Sequence, residues 1–212
     1  MHIPDGLLSI PAVAATGAVS VTAITVAVKQ TNRRLQEKQV PLMGVLAAFI
    51  FAIQMLNFPV FAGTSGHVLG AGLAAILLGP WSAVLVMSSV VIAQSLIFQD
   101  GGLLALGANI LNMGVIATLT AHGVYRLSAR LARDSHKGKM SAAFAAGWVS
   151  VMTAAAATAL ELALSGASPL PLVLPAMTGF YSLIGIGEGL ITAAVLGLVQ
   201  TRRADLLQAQ KV

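Results

Sequence analysis

Residues 126–139 read RLSARLARDSHKGK, with five basic side chains in fourteen positions. The rest of the chain is of another kind: 57% of the 212 residues are hydrophobic and only 9% charged. A soluble domain carries about 25% charged residues, so this chain belongs in lipid, and 126–139 marks one polar face of the membrane. Two further groups do the same, Lys29, Arg33, Arg34 and Lys38 near the start and Arg202, Arg203 and Lys211 at the end. The three groups hold all 12 Lys and Arg residues, so the net charge of +5 is confined to short connectors and does not form a nucleic-acid face. Basic connectors stay on the cytoplasmic side.

Helix counting then becomes a question of parity. Between Lys38 and Arg126 the chain crosses an even number of times, and the apolar runs at about 40–58, 67–79, 81–98 and 102–125 supply four crossings. Between Lys139 and Arg202, runs at about 140–164 and 170–199 supply two, separated by SGASP. One run, about 8–28, precedes Lys29. The expected fold is an all-α integral membrane protein of seven transmembrane helices, amino terminus outside, forming one membrane domain over residues 1–212. A cleaved signal peptide fits less well, because its charge precedes a core of 7–15 residues. Here the charge follows a run long enough to span. Small residues four apart, Ala14/Ala18, Ala23/Ala27 and Gly185/Gly189, permit close helix contact.

The first six residues, MHIPDG, pose a chemical question. A terminal amine and the His2 amide nitrogen close a five-membered chelate ring on a metal, and the same amide with His2 Nδ1 closes a six-membered ring. Three nitrogens thus share one plane, a set that suits Ni(II) or Cu(II) better than tetrahedral zinc. His2 is bulky, which discourages removal of Met1, so a free Met1 amine is expected. Pro4 biases Ile3 to an extended shape and Asp5-Gly6 supplies a turn, so residues 1–7 are expected to tuck into the bundle. The candidate fourth donor is His67, in NFPVFAGTSGHVLG, whose other reading is a helix-capping or hydrogen-bonded buried histidine. A helix over 67–79 is about 20 Å long, short of the roughly 30 Å core. Residues 59–66 must therefore complete the crossing as irregular backbone, which is tolerated only inside protein or along a cavity. His67 is expected at the start of the short helix. His122 and His136 lie among the cytoplasmic basic residues as interfacial groups. There is no cysteine, so thiolate sites and disulfides are excluded.

The residues reached so far carry a resemblance. MHIPDG at 1–6, GTSGH at 63–67, GPW at 79–81, FQDGG at 98–102 and LGANILNMG at 106–114 together resemble the CbiM/NikM family. These are the substrate-binding components of energy-coupling-factor transporters for cobalt and nickel, and the resemblance covers essentially the whole chain. It implies Ni(II) or Co(II) as transported substrate, with no cofactor, no enzymatic activity and no nucleic-acid partner. By this resemblance the metal ligands are Met1, His2 and His67, with 59–67 as the substrate loop. It also implies partners: a transmembrane coupling protein, two ATPase subunits and a small auxiliary membrane protein, in a bacterial or archaeal cell (inner) membrane. The chain has no GxxxxGK[ST] phosphate loop of its own. The GTSGH loop leans towards nickel.

Other polar residues are candidates to surround the metal. Asn109 and Asn112 are three apart and thus on one face of a regular helix, where they could bond the terminus or the 59–66 loop. Ser65 and Asp5 complete this outer set, and Gln94 is a weaker member. Asp5 and Asp100, on an outer face without basic residues, would draw cations in. Glu188, amid glycines at 185, 187 and 189, reads as a protonated or hydrogen-bonded structural carboxyl. Were it a proton relay, the chain would be an autonomous proton-coupled permease. An intramembrane hydrolase built on His67 and His122 lacks HExxH and has its histidines towards opposite faces.

Overall fold

The computed structural model describes residues 1–34, 39–132, 135–203 and 206. Lys38, Arg133 and Lys211 of the basic groups lie outside the described residues. The elements in chain order are α1 (Ile10–Arg34), α2 (Gln39–Gln54), β1 (Phe58–Pro59), a 3-10 turn (Phe61–Gly63), β2 (Ser65–Gly66), α3 (Ala71–Leu78) and α4 (Pro80–Phe98). Then follow α5 (Leu106–Asn109), a π-helical segment (Ile110–Ile116), α6 (Ala117–Leu131), α7 (His136–Leu164) and α8 (Leu170–Arg202). Because α5, the π segment and α6 run on without a break, the described residues form seven helical rods. Four helices, α1, α4, α7 and α8, are long and apolar enough to cross a membrane.

Helix α3 is the axis of the bundle, with all eight residues buried. Small residues make this possible. A Cβ on Gly72 would stand 3.0 Å from the Gly147 Cα of α7, and one on Gly147 would stand 3.0 Å from the Gly189 Cα of α8. Three backbones therefore meet where only hydrogen fits, the close approach that glycine allows within membranes. Gly185 and Gly189 do face α7, against Trp148 and Phe144, whereas Ala14 and Ala18 are exposed on the outside of α1.

The short helix departs from expectation. It starts at Ala71, not at position 67, because Gly70 sits at φ 78° in the left-handed region and cannot continue a right-handed helix. Gly79, also at φ 78°, ends it, and Pro80 opens α4 at a position where its missing N–H costs nothing. At about 12 Å, α3 covers less than half of a hydrocarbon core. The preceding chain is not irregular either. It forms a small antiparallel hairpin, Phe58 opposite Gly66 and Pro59 opposite Ser65, with Val60 N donating to Thr64 O at 2.8 Å. Backbone polar groups in an apolar interior must be satisfied, and pairing within the segment does so.

Glu188 closes the account for residues 67–70. It is buried, and its carboxylate accepts from Leu69 N at 2.8 Å and from Gly70 N at 2.8 and 3.0 Å. It thus satisfies the free N–H groups ahead of α3 and opposes the positive end of its dipole. Gln54 Nε2 holds the other side, donating to Leu69 O at 2.5 Å. Glu188→Ala leaves two buried N–H groups unpaired at about 1–3 kcal/mol each. We expect a clearly lower thermal midpoint in detergent, with Glu188→Gln, which keeps an acceptor oxygen, losing less. Equal midpoints for wild type and Glu188→Ala would remove this role.

Candidate metal centre

The amino-terminal arm is threaded into one end of the bundle. Met1 and Ile3 are 0% exposed and His2 2%, so three successive residues ahead of the first helix are core. Each is held by backbone pairing. Asn109 grips Ile3 on both sides, its Oδ1 accepting from Ile3 N at 2.8 Å and its Nδ2 donating to Ile3 O at 3.1 Å. Gly102 N also donates to Ile3 O, at 2.9 Å. Asp5 accepts from Leu103 N, Leu104 N and Ala105 N at 2.8–3.2 Å, capping the approach to α5. The glycines of FQDGG permit this contact: a Cβ on Gly101 would press on His2 and Asn109, and one on Gly102 would overlap Asp5.

At the tip of the arm three nitrogens converge. The Met1 amine lies 3.1 Å from His67 Nε2, and His2 Nδ1 lies 3.1 Å from the same atom. The tautomers leave their lone pairs facing inward. His67 Nδ1 is 3.0 Å from Val68 O, which can only accept, so Nδ1 carries the proton and Nε2 the lone pair. His2 Nε2 donates to Gln94 Oε1 at 3.0 Å, which leaves Nδ1 its lone pair. Burial pushes the Met1 amine well below its ordinary pKa, against the opposing pull of Asp100. Burial, then the neighbouring amine, lowers His2 to about 3, with Gln94 opposing.

This arrangement fits a planar metal. With metal–nitrogen bonds of about 2.0–2.1 Å, adjacent corners of a square are about 2.9 Å apart. The two 3.1 Å separations place His67 Nε2 beside both the amine and His2 Nδ1. Were a metal held here in a square plane, the corner opposite His67 would fall to the His2 amide, as the two fused chelate rings require. Among the described residues no group of three His, Cys, Asp or Glu side chains is set to hold a metal, so a site here needs these main-chain nitrogens.

The remaining candidates divide. Ser65 joins the centre: its carbonyl accepts from the Met1 amine and from the Tyr181 hydroxyl, the latter at 2.5 Å, and its Oγ lies 3.1 Å from His2 Nδ1. Asn109 and Asp5 anchor the arm. Asn112 does neither, donating instead to Thr158 Oγ1 at 3.2 Å and Glu161 Oε2 at 2.7 Å on α7. The π segment, which starts just after Asn109 and contains Asn112, is the reason, since its wider turn breaks the three-residue register of a regular helix. Such segments often mark functional sites. Asp5 and Asp100 also differ from the shared role expected of them. Both Asp5 oxygens are taken by backbone N–H groups. Asp100, 15% exposed, turns Oδ1 to 3.4 Å from His2 Nδ1 while Oδ2 accepts from Asn57. Gln94, Asp100 and Tyr181 therefore line the centre; the first two had only weak sequence signals and Tyr181 had none. His122 stays half-buried on α6 near Ala75, and His136 is exposed at the start of α7.

The centre sits at the bundle end opposite the described basic residues. It abuts the C-terminal part of α4 through Gln94, and the N-terminal half of α8 through Tyr181 and through Met177, whose sulfur lies 3.6 Å from Thr64 Oγ1. Arg202 is at the far end of α8, and the end of α1 meets the start of α4 through Thr31 and Ser82 at 3.5 Å.

Comparisons with known proteins identify the family of the chain. The family profile described as "Cobalt uptake substrate-specific transmembrane region", CbiM, matches residues 2–206. The chain is 32% identical to the cobalt transport protein CbiM of Sorangium cellulosum, over 100% of this chain and 96% of that one. It is 35% identical to the fused nickel transport protein NikMN of Rhodobacter capsulatus, over 100% of this chain and 65% of that longer protein. The crystal structure of a truncated transition metal transporter superposes with a TM-score of 0.88 at 38% identity, covering 95% of this chain and 99% of the other. The buried amino-terminal nitrogens thus sit in a membrane transport protein, not an enzyme, and metal is its cargo: the chain belongs to the CbiM family.

Proposed function

We propose that this protein is the substrate-binding membrane component of an ATP-driven importer of the energy-coupling-factor type for nickel or cobalt in a prokaryotic inner membrane. The metal is held in a square plane by the Met1 amine, the His2 amide, His2 Nδ1 and His67 Nε2. The observation that carries this reading is the convergence of two lone pairs and a buried amine at 3.1 Å. A cation placed between them would be bound by both imidazole lone pairs. The relatives named for nickel and for cobalt transport support the choice of cargo. A coupling protein and two ATPase subunits supply turnover. The alternative, a proton-coupled permease with Glu188 as relay, is disfavoured because that carboxylate is occupied by Leu69 N and Gly70 N.

Metal analysis of the purified chain, with calorimetric titration of Ni(II) and Co(II), tests the site. One equivalent bound with proton release is expected, because the ligands must lose protons. Absence of binding by either ion would overturn the reading. Uptake that persists after the partner ATPases are inactivated would instead establish the permease.

In this reading the metal centre faces outward and the basic ends face the cytoplasm. A cysteine at position 100 is expected to react with an impermeant thiol reagent on intact cells, and one at position 137 to react only after permeabilisation. Equal labelling on intact cells would reverse the assignment.

A further inference from the structure

We infer that the Ser65 hydroxyl is an axial oxygen ligand that sets how the centre discriminates between Co(II) and Ni(II). This rests on the nitrogen plane proposed above and extends it. Ser65 Oγ lies 3.4 Å from Met1 N, 3.4 Å from His2 N and 3.1 Å from His2 Nδ1. Three points define a circle, and any point equidistant from them lies on the perpendicular through its centre. Chelate nitrogens bound at about 2.0–2.1 Å lie on such a circle around the metal, which puts the hydroxyl about 2.6 Å above it. That is the reach of a long, weak axial bond.

The Ser65 carbonyl, Asp100 and Gln94 are placed differently. The Ser65 carbonyl is taken by the amine and by Tyr181. Asp100 approaches Nδ1 of His2 alone, at 3.4 Å, and so lies off the axis. Gln94 bonds the opposite nitrogen of the ring. Ser65 is also held in place, since its main chain pairs with Pro59 in the hairpin and its carbonyl is clasped by Tyr181.

The electronic consequence differs between the two ions. In a strong planar nitrogen field, Ni(II) fills the orbital that points along the axis, so an approaching oxygen meets an electron pair. Co(II) has one electron fewer and leaves that orbital half-filled, so the oxygen forms a bond. Planar nitrogen sites already favour Ni(II), which also stands above Co(II) in the general affinity order. An axial hydroxyl narrows that gap by strengthening Co(II) alone.

The test uses the whole chain with its native amino terminus, loaded with Co(II) or Ni(II) alone, and compares wild type with Ser65→Ala, Ser65→Thr and His67→Ala. Titration gives the two affinities, and the electron paramagnetic resonance spectrum of the Co(II) form reports the axial position, because the unpaired electron points there. Ser65→Ala is expected to weaken Co(II) about tenfold more than Ni(II) and to change the Co(II) spectrum, with Ser65→Thr restoring both. An unchanged affinity ratio and spectrum in Ser65→Ala would overturn the inference. So would an equal loss for both ions with an unchanged spectrum, which would mark the hydroxyl as a tether for the arm. Undiminished binding by His67→Ala is a separate failure, that of the nitrogen plane itself, and it takes the axial assignment down with it.

Discussion

A chain bearing an uncleaved amino-terminal extension loses nickel and cobalt uptake, while a carboxy-terminal extension is tolerated. Joining any residue to Met1 turns its amine into an amide, a far poorer donor, and removes one corner of the plane. It also meets a steric barrier. Met1 is fully buried, and its nitrogen is enclosed by the Ser65 carbonyl, Ser65 Oγ and His67 Nε2. The extension must therefore expel Met1, which withdraws His2 from Gln94 and Ile3 from Asn109. Inserting one alanine between Met1 and His2 is a subtler form of the same test. It preserves a chelating start but brings in a second amide where His67 should bind. At the other end of the bundle Arg202 is exposed in the last turn of α8, away from the metal centre. Normal uptake by a fusion shown by mass spectrometry to be intact would end the chelate mechanism.

The second large effect is that of His67→Ala. Metal affinity is expected to fall well over tenfold, since loss of even an outer partner of a ligand costs about 10–100-fold. The fold should survive, because the segment around His67 is held by other groups. Leu69 N and Gly70 N bond Glu188, Leu69 O bonds Gln54, and Ser65 pairs with Pro59. Within that segment the imidazole bonds the adjacent Val68 carbonyl, and its other contacts are to Met1 and His2 of the arm. A monodisperse, weakly binding protein is the outcome that matches the geometry. Wild-type affinity by calorimetry would place the fourth ligand elsewhere.

Much of this protein is legible in its sequence because the relevant physics is local. Basic residues cannot enter hydrocarbon, so their three groups and the runs between them led to seven rods, the count found among the described residues. The chelating start is legible for a similar reason. Ring size in a metal chelate is set by covalent connectivity, so a terminal amine next to a histidine declares three donors whatever the rest of the chain does. His67 was found through the shortness of the helix after it, though its own position came out wrong. Only the left-handed backbone at Gly70 starts α3 at Ala71 and leaves His67 in the turn, where its ring reaches Met1.

What tertiary structure alone decided are the partners brought together from far along the chain. Gln94 meets His2 across 92 positions and Tyr181 meets Ser65 across 116, and neither carries a local signal that distinguishes it from an ordinary helix residue. Asn109 and Asn112 looked equivalent at three-residue spacing until the π segment sent one to the arm and the other to α7. Asp5 and Asp100 looked equivalent as outer acids until the free N–H groups of 103–105 claimed one and left the other beside His2. Sequence by itself determined which nitrogens are available as donors and how many helical rods form, because covalent bonds and the exclusion of charge from hydrocarbon act on each segment separately. Which donors face one another was decided only on packing, because backbone groups buried without water must find partners, and where they find them depends on every helix at once.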